Sequence, residues 1–395
     1  MRFLCALALL ALSLSAAQPP AWSLVQNADF EIYSQGDSAN VRAGLLWFEQ
    51  LRAFFASTGV GLNAPRPVRV IGFRSVKEYD SYRLRPSADA YYIGADSRDY
   101  IVMPALNQDK FGIAAHEYAH LVLHAGGRHL PAWLNEGLAE FFSTVRISSR
   151  GCELGGDIRA HSQTLRSRTW MPLPQLLEAA TESLAGREQS SLFYAQSWAL
   201  TEMLLVSPGY RTRFPELIAS LSSGVDSGTA LTRVYGKSLQ AITGDMHTHA
   251  TSGATPLAAP GLTIGSIKAT SSELTPFAAR SMLGDLLLAT GELNRAEALY
   301  SDLARESPQN AEVSAALGTI ALRKGNLTGA RLKWKLAMEQ GITDAGLCYR
   351  YALIAGDAGV SATEIRPALE RAIALKPDFD DARFKLALLE SNSSN

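Results

Sequence analysis

Cysteine is scarce in this chain, with three residues in 395, at positions 5, 152 and 348. Cys5 lies inside an apolar amino-terminal run, so a processed chain keeps only Cys152 and Cys348. Two thiols cannot build a disulfide framework, although one bridge between them stays open. Charge of one sign is lacking too. Thirty-seven Lys and Arg face 38 Asp and Glu for a formal net charge of -1, which leaves no polyelectrolyte surface for nucleic acid. Long apolar runs are missing beyond the first residues. The stretches near Leu121 and Leu283 are soon broken by His, Arg or Asp, well short of the roughly 20 residues a bilayer span needs. No membrane span is expected in the mature chain. What remains is a chain with 47% apolar residues, long enough for two folded units plus processing and linker segments.

Met1-Arg2, the apolar run Phe3 to Leu14, and Ser15-Ala16-Ala17 have the charged, apolar and small-residue order of a signal peptide over residues 1–17. Export to the periplasm or the medium is expected. Cys5 sits too early in that run to serve as a lipid-modified cysteine.

The residues up to about 110 predict mixed α and β structure. Asp29 to Tyr33 and Pro67 to Phe73 have strand character, Val41 to Phe55 has helical spacing, and Tyr91 to Ile93 with Asp99 to Met103 suggests a hairpin. Helices are predicted from Phe111 to Leu123 and from about Ala132 to Val145, with Gly126-Gly127 and Pro131 between them. Further helices are expected at Leu173 to Ala180, Leu192 to Leu205 and Phe214 to Leu221, with little strand signal among them. One folded unit is thus expected over 18–250. An Ala, Gly, Ser, Thr and Pro-rich linker over 251–275 follows, in which only Leu262-Thr263-Ile264 hints at a strand.

Residues 276–395 carry an internal repeat. Leu283-Gly284 recurs 34 residues later as Leu317-Gly318, Ala296 as Ala330, and Tyr300 as Trp334. That pattern resembles tetratricopeptide repeats, which implies an α-solenoid of helix pairs in which the small residues allow close approach. Asp381 to Glu390 would be the terminal helix, and a protein partner is the expected ligand of such an array.

His116-Glu117-Tyr118-Ala119-His120 is an H-E-x-x-H pattern. On a helix the two imidazoles share one face and can reach one metal ion, while Glu117, about 100° around the axis, can approach a water on that ion. A third ligand is needed, and Glu136 on the following helix is the candidate. Glu140, one turn further on, could accept the second ring N–H of a ligating histidine. His124, His129, His247 and His249 are read as rim or surface residues.

With Asn135-Glu136 after the H-E-x-x-H helix, the chain resembles the gluzincin metallopeptidases. The phrases Trp133 to Phe142 and Phe193 to Leu200 look like the peptidase-MA-like group of that class. The resemblance covers roughly residues 25–245 and rests on three short patches. It implies an α+β, zincin-like peptidase domain, with a small mixed sheet, active-site helices and a helical carboxyl half, before the solenoid. It also implies Zn2+ held by His116, His120 and Glu136, with Asn135 and Glu140 behind them. Glu117 would be the general base and acid in hydrolysis of a peptide or protein substrate. Tyr194, where related enzymes carry a catalytic tyrosine, would stabilise the oxyanion; a core role is equally open to it, and His161 is a second candidate. The strand Tyr100 to Met103 is a candidate edge for an extended substrate. Leu123 and Gly126 stand where a metzincin needs Gly and His, and no G-x-M-E-N segment precedes His116, so an endopeptidase is favoured over an exopeptidase. The competing reading is a catalytically inactive scaffold whose repeats bind protein partners.

Overall fold

The computed structural model describes residues 21–35, 38–58, 67–86, 88–95, 98–127, 129–148, 151–184, 186–253, 256–259, 261–262 and 265–393. The expected signal peptide, Thr263-Ile264 and residues 96–97 of the expected hairpin lie outside them. The chain runs β1 (Trp22–Gln26), β2 (Phe30–Gln35), α1 (Ser38–Ser57), β3 (Val68–Gly72), α2 (Val76–Tyr79), β4 (Tyr91–Ala95), β5 (Arg98–Met103), α3 (Phe111–Ala125), α4 (Ala132–Ser143), β6 (Arg146–Ser148) and β7 (Gly151–Leu154). Helices α5 (Arg159–Ser167), α6 (Leu173–Glu178), α7 (Gly186–Val206), α8 (Pro208–Arg211), α9 (Phe214–Ser222), α10 (Ser227–Tyr235) and α11 (Leu239–Ser252) follow. Then come β8 (Leu257–Ala259), β9 (Thr270–Glu273), α12 (Pro276–Ala289), α13 (Leu293–Glu306), α14 (Ala311–Arg323), α15 (Leu327–Glu339), α16 (Ala345–Asp357), α17 (Ala362–Leu375) and α18 (Asp380–Ser393). The protein is α+β, with small sheets and a helical carboxyl half.

The larger sheet has the order β4-β5-β3-β2-β1-β9. β3 lies parallel to β2 and β5, and the other neighbours are antiparallel. Because side chains alternate across a strand, each strand feeds two cores. Phe30, Ile32, Val68, Val70, Ile101 and Met103 pack against α1 and α3. Tyr33, Ile71, Tyr100 and Val102 face the other way and pack against Ala279, Met282 and Leu286 of α12. Both faces are covered, which explains near-continuous burial along β3.

This arrangement changes two expectations. The segment 251–275, read as a linker, supplies β8, which pairs with β7, and β9, which pairs with β1. Its strands went unread because β9 is Thr-Ser-Ser-Glu and exposed along its length: backbone pairing alone holds it, and no apolar pattern is required. The strand Tyr100 to Met103 is not an edge. It lies inside β5, between β3 and β4, and the edge strands of this sheet among the described residues are β4 and β9.

Arg69 fastens the far face. It is buried on β3, with Nε 3.0 Å from Glu31 Oε2 and Nη1 2.9 Å from Asp285 Oδ2 of α12. Its guanidinium lies over the rings of Tyr33 and Tyr100. Asp285 also accepts from the Tyr300 hydroxyl of α13, so the first helices of the carboxyl array are tied to the sheet by charge and by apolar packing. Beyond α13, each helix packs against the next through α18. A Cβ at Gly284 would lie 2.8 Å from the Tyr300 ring, and one at Gly318 would lie 2.3 Å from the Trp334 ring. The same glycine-aromatic contact thus recurs at the 34-residue spacing. Cys152 and Cys348 are both buried and free, and no helix among the described residues is long and apolar enough to cross a membrane.

Since α12 closes the sheet, the two halves are expected to melt together. Leu286→Ala should cost about 2–5 kcal/mol and shift a single calorimetric transition. Deletion of residues 276–395 should leave a chain that binds hydrophobic dye and lacks that transition. Two separate transitions in the intact chain would show the halves to be independent.

Candidate active site

Helix α3 buries Ala114, Ala115, Tyr118, Ala119 and Val122 against the sheet, which turns His116 and His120 away from it. Helix α4 lies beside α3. Its Trp133, Leu134 and Leu138 enter the helical core, while Ala139 joins the sheet core. The polar strip between those surfaces carries Glu136 and Glu140. Gly137 sets how closely α4 approaches α7, since a Cβ there would lie 2.1 Å from Thr201 Oγ1 and 2.4 Å from the Ser197 carbonyl oxygen.

Three donor atoms converge. His116 Nε2 and His120 Nε2 are 3.1 Å apart, and Glu136 Oε2 lies 3.6 Å from the first and 3.4 Å from the second. A tetrahedral ion with bonds of about 2.0–2.1 Å separates its ligand atoms by roughly 3.3–3.4 Å. The observed spacing fits that triangle, and this is the set of histidine and acidic side chains, among the described residues, that could hold a metal.

The next layer is equally ordered. Glu140 Oε1 lies 3.7 Å from His116 Nδ1, and the Asn135 amide lies 3.3 Å from His120 Nδ1. With each Nε2 turned to a metal, each Nδ1 carries the proton and needs an acceptor. Glu140 offers one; Asn135 presents its Nδ2 to His120 Nδ1, and a turn of its amide by 180° would bring the accepting oxygen there. His161 on α5, a candidate oxyanion donor, instead brings its Nε2 to 3.1 Å from Glu140 Oε2.

Glu117 is buried, and the backbone of Tyr92 on β4 is among the groups close enough to favour its ionised form. Burial pushes its pKa up, and the neighbouring histidines oppose that shift without cancelling it. Burial alone would lower His116, but Glu140, Glu136 and Glu117 outweigh it and hold the ring strongly toward its protonated form. Burial would raise Glu136 and Glu140 as well, yet the histidines pull both down. Three carboxylates around two imidazoles make a pocket that demands positive charge, which a proton or a metal cation can supply.

Tyr194 stands on the stripe of α7 that also carries Ser197 and Thr201. Burial raises its hydroxyl pKa, followed by the charges of Glu136, Glu140 and Glu117, so it lies within electrostatic reach of the cluster. No hydrogen bond with another described residue holds it. His124 is exposed near Tyr92, and His129 and His247 are exposed. His249 departs from the surface reading: it is largely buried, with Nε2 3.5 Å from the buried Glu202 and Nδ1 3.3 Å from Ser207 Oγ. Sequence reasoning gave Gly137 no role, though it was readable as a glycine inside a helix that must pack tightly.

No protein-family model matches the chain, and no curated protein matches it. Among solved structures, native yeast LTA4 hydrolase is similar over 94% of this chain and 66% of its own length, at 12% identity and a TM-score of 0.30. The chain therefore spans just under two thirds of that structure, and the similarity is too slight to bear on fold or chemistry.

Gly137→Ala should be destabilising by about 1–3 kcal/mol through overpacking and should lower metal retention by displacing Glu136. Thermal melts with metal analysis check this. Adding Thr201→Ser should not rescue it, because the Ser197 contact is with backbone.

Proposed function

We propose that the chain is a zinc-dependent peptidase, and the observation that carries the reading is the His116, His120 and Glu136 triangle with Glu117 beside it. Two imidazoles and one carboxylate suit zinc better than magnesium or calcium, which prefer all-oxygen sites. Three protein ligands leave room for water and substrate, as catalytic zinc requires. Bound zinc supplies Lewis acidity that makes water a nucleophile near neutral pH.

The protein's residues do the remaining work. Glu117 takes a proton from the attacking water and returns it to the departing amine. Its burial favours the proton-carrying form, which suits the second task, while the histidines keep the ionised form accessible for the first. Tyr194 is the donor proposed for the developing oxyanion; its raised pKa keeps the hydroxyl protonated and able to donate. An extended peptide or protein substrate would lie along the edge strand β4, near Glu117. Endopeptidase action, export by the segment 1–17 and partner binding by tetratricopeptide-like helix pairs complete the proposal.

Glu117→Gln should keep one zinc per chain and cut cleavage of a peptide library by about 10²–10⁴-fold. Glu136→Ala should lose the zinc. Unchanged cleavage by Glu117→Gln would overturn the mechanism, and a zinc-loaded wild type that cleaves nothing would favour a scaffold. Zinc occupancy should fall as pH is lowered, because protons compete with the metal for its ligands. Dialysis at graded pH followed by metal analysis measures this.

A further inference from the structure

Glu140 divides its carboxylate between two histidines. Oε1 faces His116 Nδ1 at 3.7 Å, and Oε2 faces His161 Nε2 at 3.1 Å. All three side chains are largely shielded, with 14–16% of their surface exposed. His161 Nε2 is buried and makes no aligned hydrogen bond with any described residue, Glu140 included; Glu140 Oε2, 3.1 Å away, is the acceptor within its reach. Its ring packs beside Trp198 of α7, with centroids 5.7 Å apart, and α5 rests on α7. The imidazole is therefore anchored by the same helix that positions α4.

We infer that His161 is a positioning residue for the metal centre, acting through Glu140 on the ring of His116; this rests on the zinc reading above. A carboxylate with one oxygen facing His116 can rotate about its last bond. A donor on the other oxygen removes that freedom, so the His116 ring is held with Nε2 toward His120 and Glu136 before any metal arrives. Less ordering then remains to be done on binding, and affinity rises. A buried N–H left without an acceptor is unfavourable, so His161 and Glu140 hold each other in place. This role differs from oxyanion stabilisation, which would require His161 to face the substrate.

The test uses the full chain stripped of metal and titrated with zinc against a competing chromophoric chelator, with metal-free melting temperatures as a control on folding. His161→Ala should weaken zinc binding by about tenfold or more, within the range for loss of such outer partners. His161→Gln, which keeps a donor near the Nε2 position, should stay within about threefold of wild type. In a Glu140→Ala background, His161→Ala should have no further effect, because its route to the metal is gone. The inference is overturned if His161→Ala binds zinc within about twofold of wild type, or if its loss adds in full to that of Glu140→Ala. Should His161→Ala fail to fold, His161→Leu is judged by the same criteria. A wild type that takes up no zinc removes the metal reading itself and this inference with it, whereas zinc uptake that depends on Glu136 but not on His161 removes only the inference.

Discussion

The distance at which α4 is held from α3 governs the cluster of His116, His120 and Glu136. Glu136 and Glu140 must be brought to two histidines without bringing the helices so close that the carboxylates cannot enter. That spacing is set from behind. Gly137 lies flush on Ser197 and Thr201 of α7, while Trp133 and Leu134 are fully buried in the helical core and donate α4's opposite face to it. Trp133 is also fixed by a hydrogen bond from its Nε1 to Ser227 Oγ. The donor atoms thus inherit their positions from apolar packing and one glycine, and the electrostatic demand of the cluster is imposed on a frame already built.

A second constraint acts from below. Helix α3 can present its histidines outward only because its other face is sunk in the sheet, and the sheet is rigid because both of its faces are covered. The far cover is α12, which by sequence belongs to the repeat region. Its Leu286 and Met282 fill the sheet's second core, and Asp285 meets Arg69. The carboxyl array is therefore continuous with the floor beneath the site.

Much of this was legible in the sequence, and for physical reasons. His116 and His120 could be paired because helical spacing puts them on one face, with Glu117 about 100° around the axis, whereas Glu136 on the next helix was named with the help of the Asn135-Glu136 resemblance. The α3 and α4 segments, the β4 and β5 hairpin and the glycine-aromatic repeat were read from short-range periodicity in the same way. What escaped depends on long-range pairing. β8 and β9 have polar or small residues and exist because other strands offer them hydrogen bonds. The edge position of β4 follows from strand order, which local pattern does not encode. His161 was visible as a histidine near the site, but only the packing of α5 on α7 shows that it faces Glu140. The burial of His249 against Glu202 depends on α11 returning to α7, across a stretch rich in Thr and His that has weak apolar periodicity.

The pairing of β1 with β9 has a consequence for the order of events in folding. Val25 pairs with Ser271, and the α12 side chains that cap the same sheet come later still. A chain synthesised from its amino terminus has His116, His120 and Glu136 available long before the last strand and its covering helix emerge. The contacts that stiffen the floor are among the most distant in sequence, and closing them is entropically slow. Until they close, the triangle of His116, His120 and Glu136 rests on an unfinished sheet, so its geometry is set only when the last strand and its covering helix are in place.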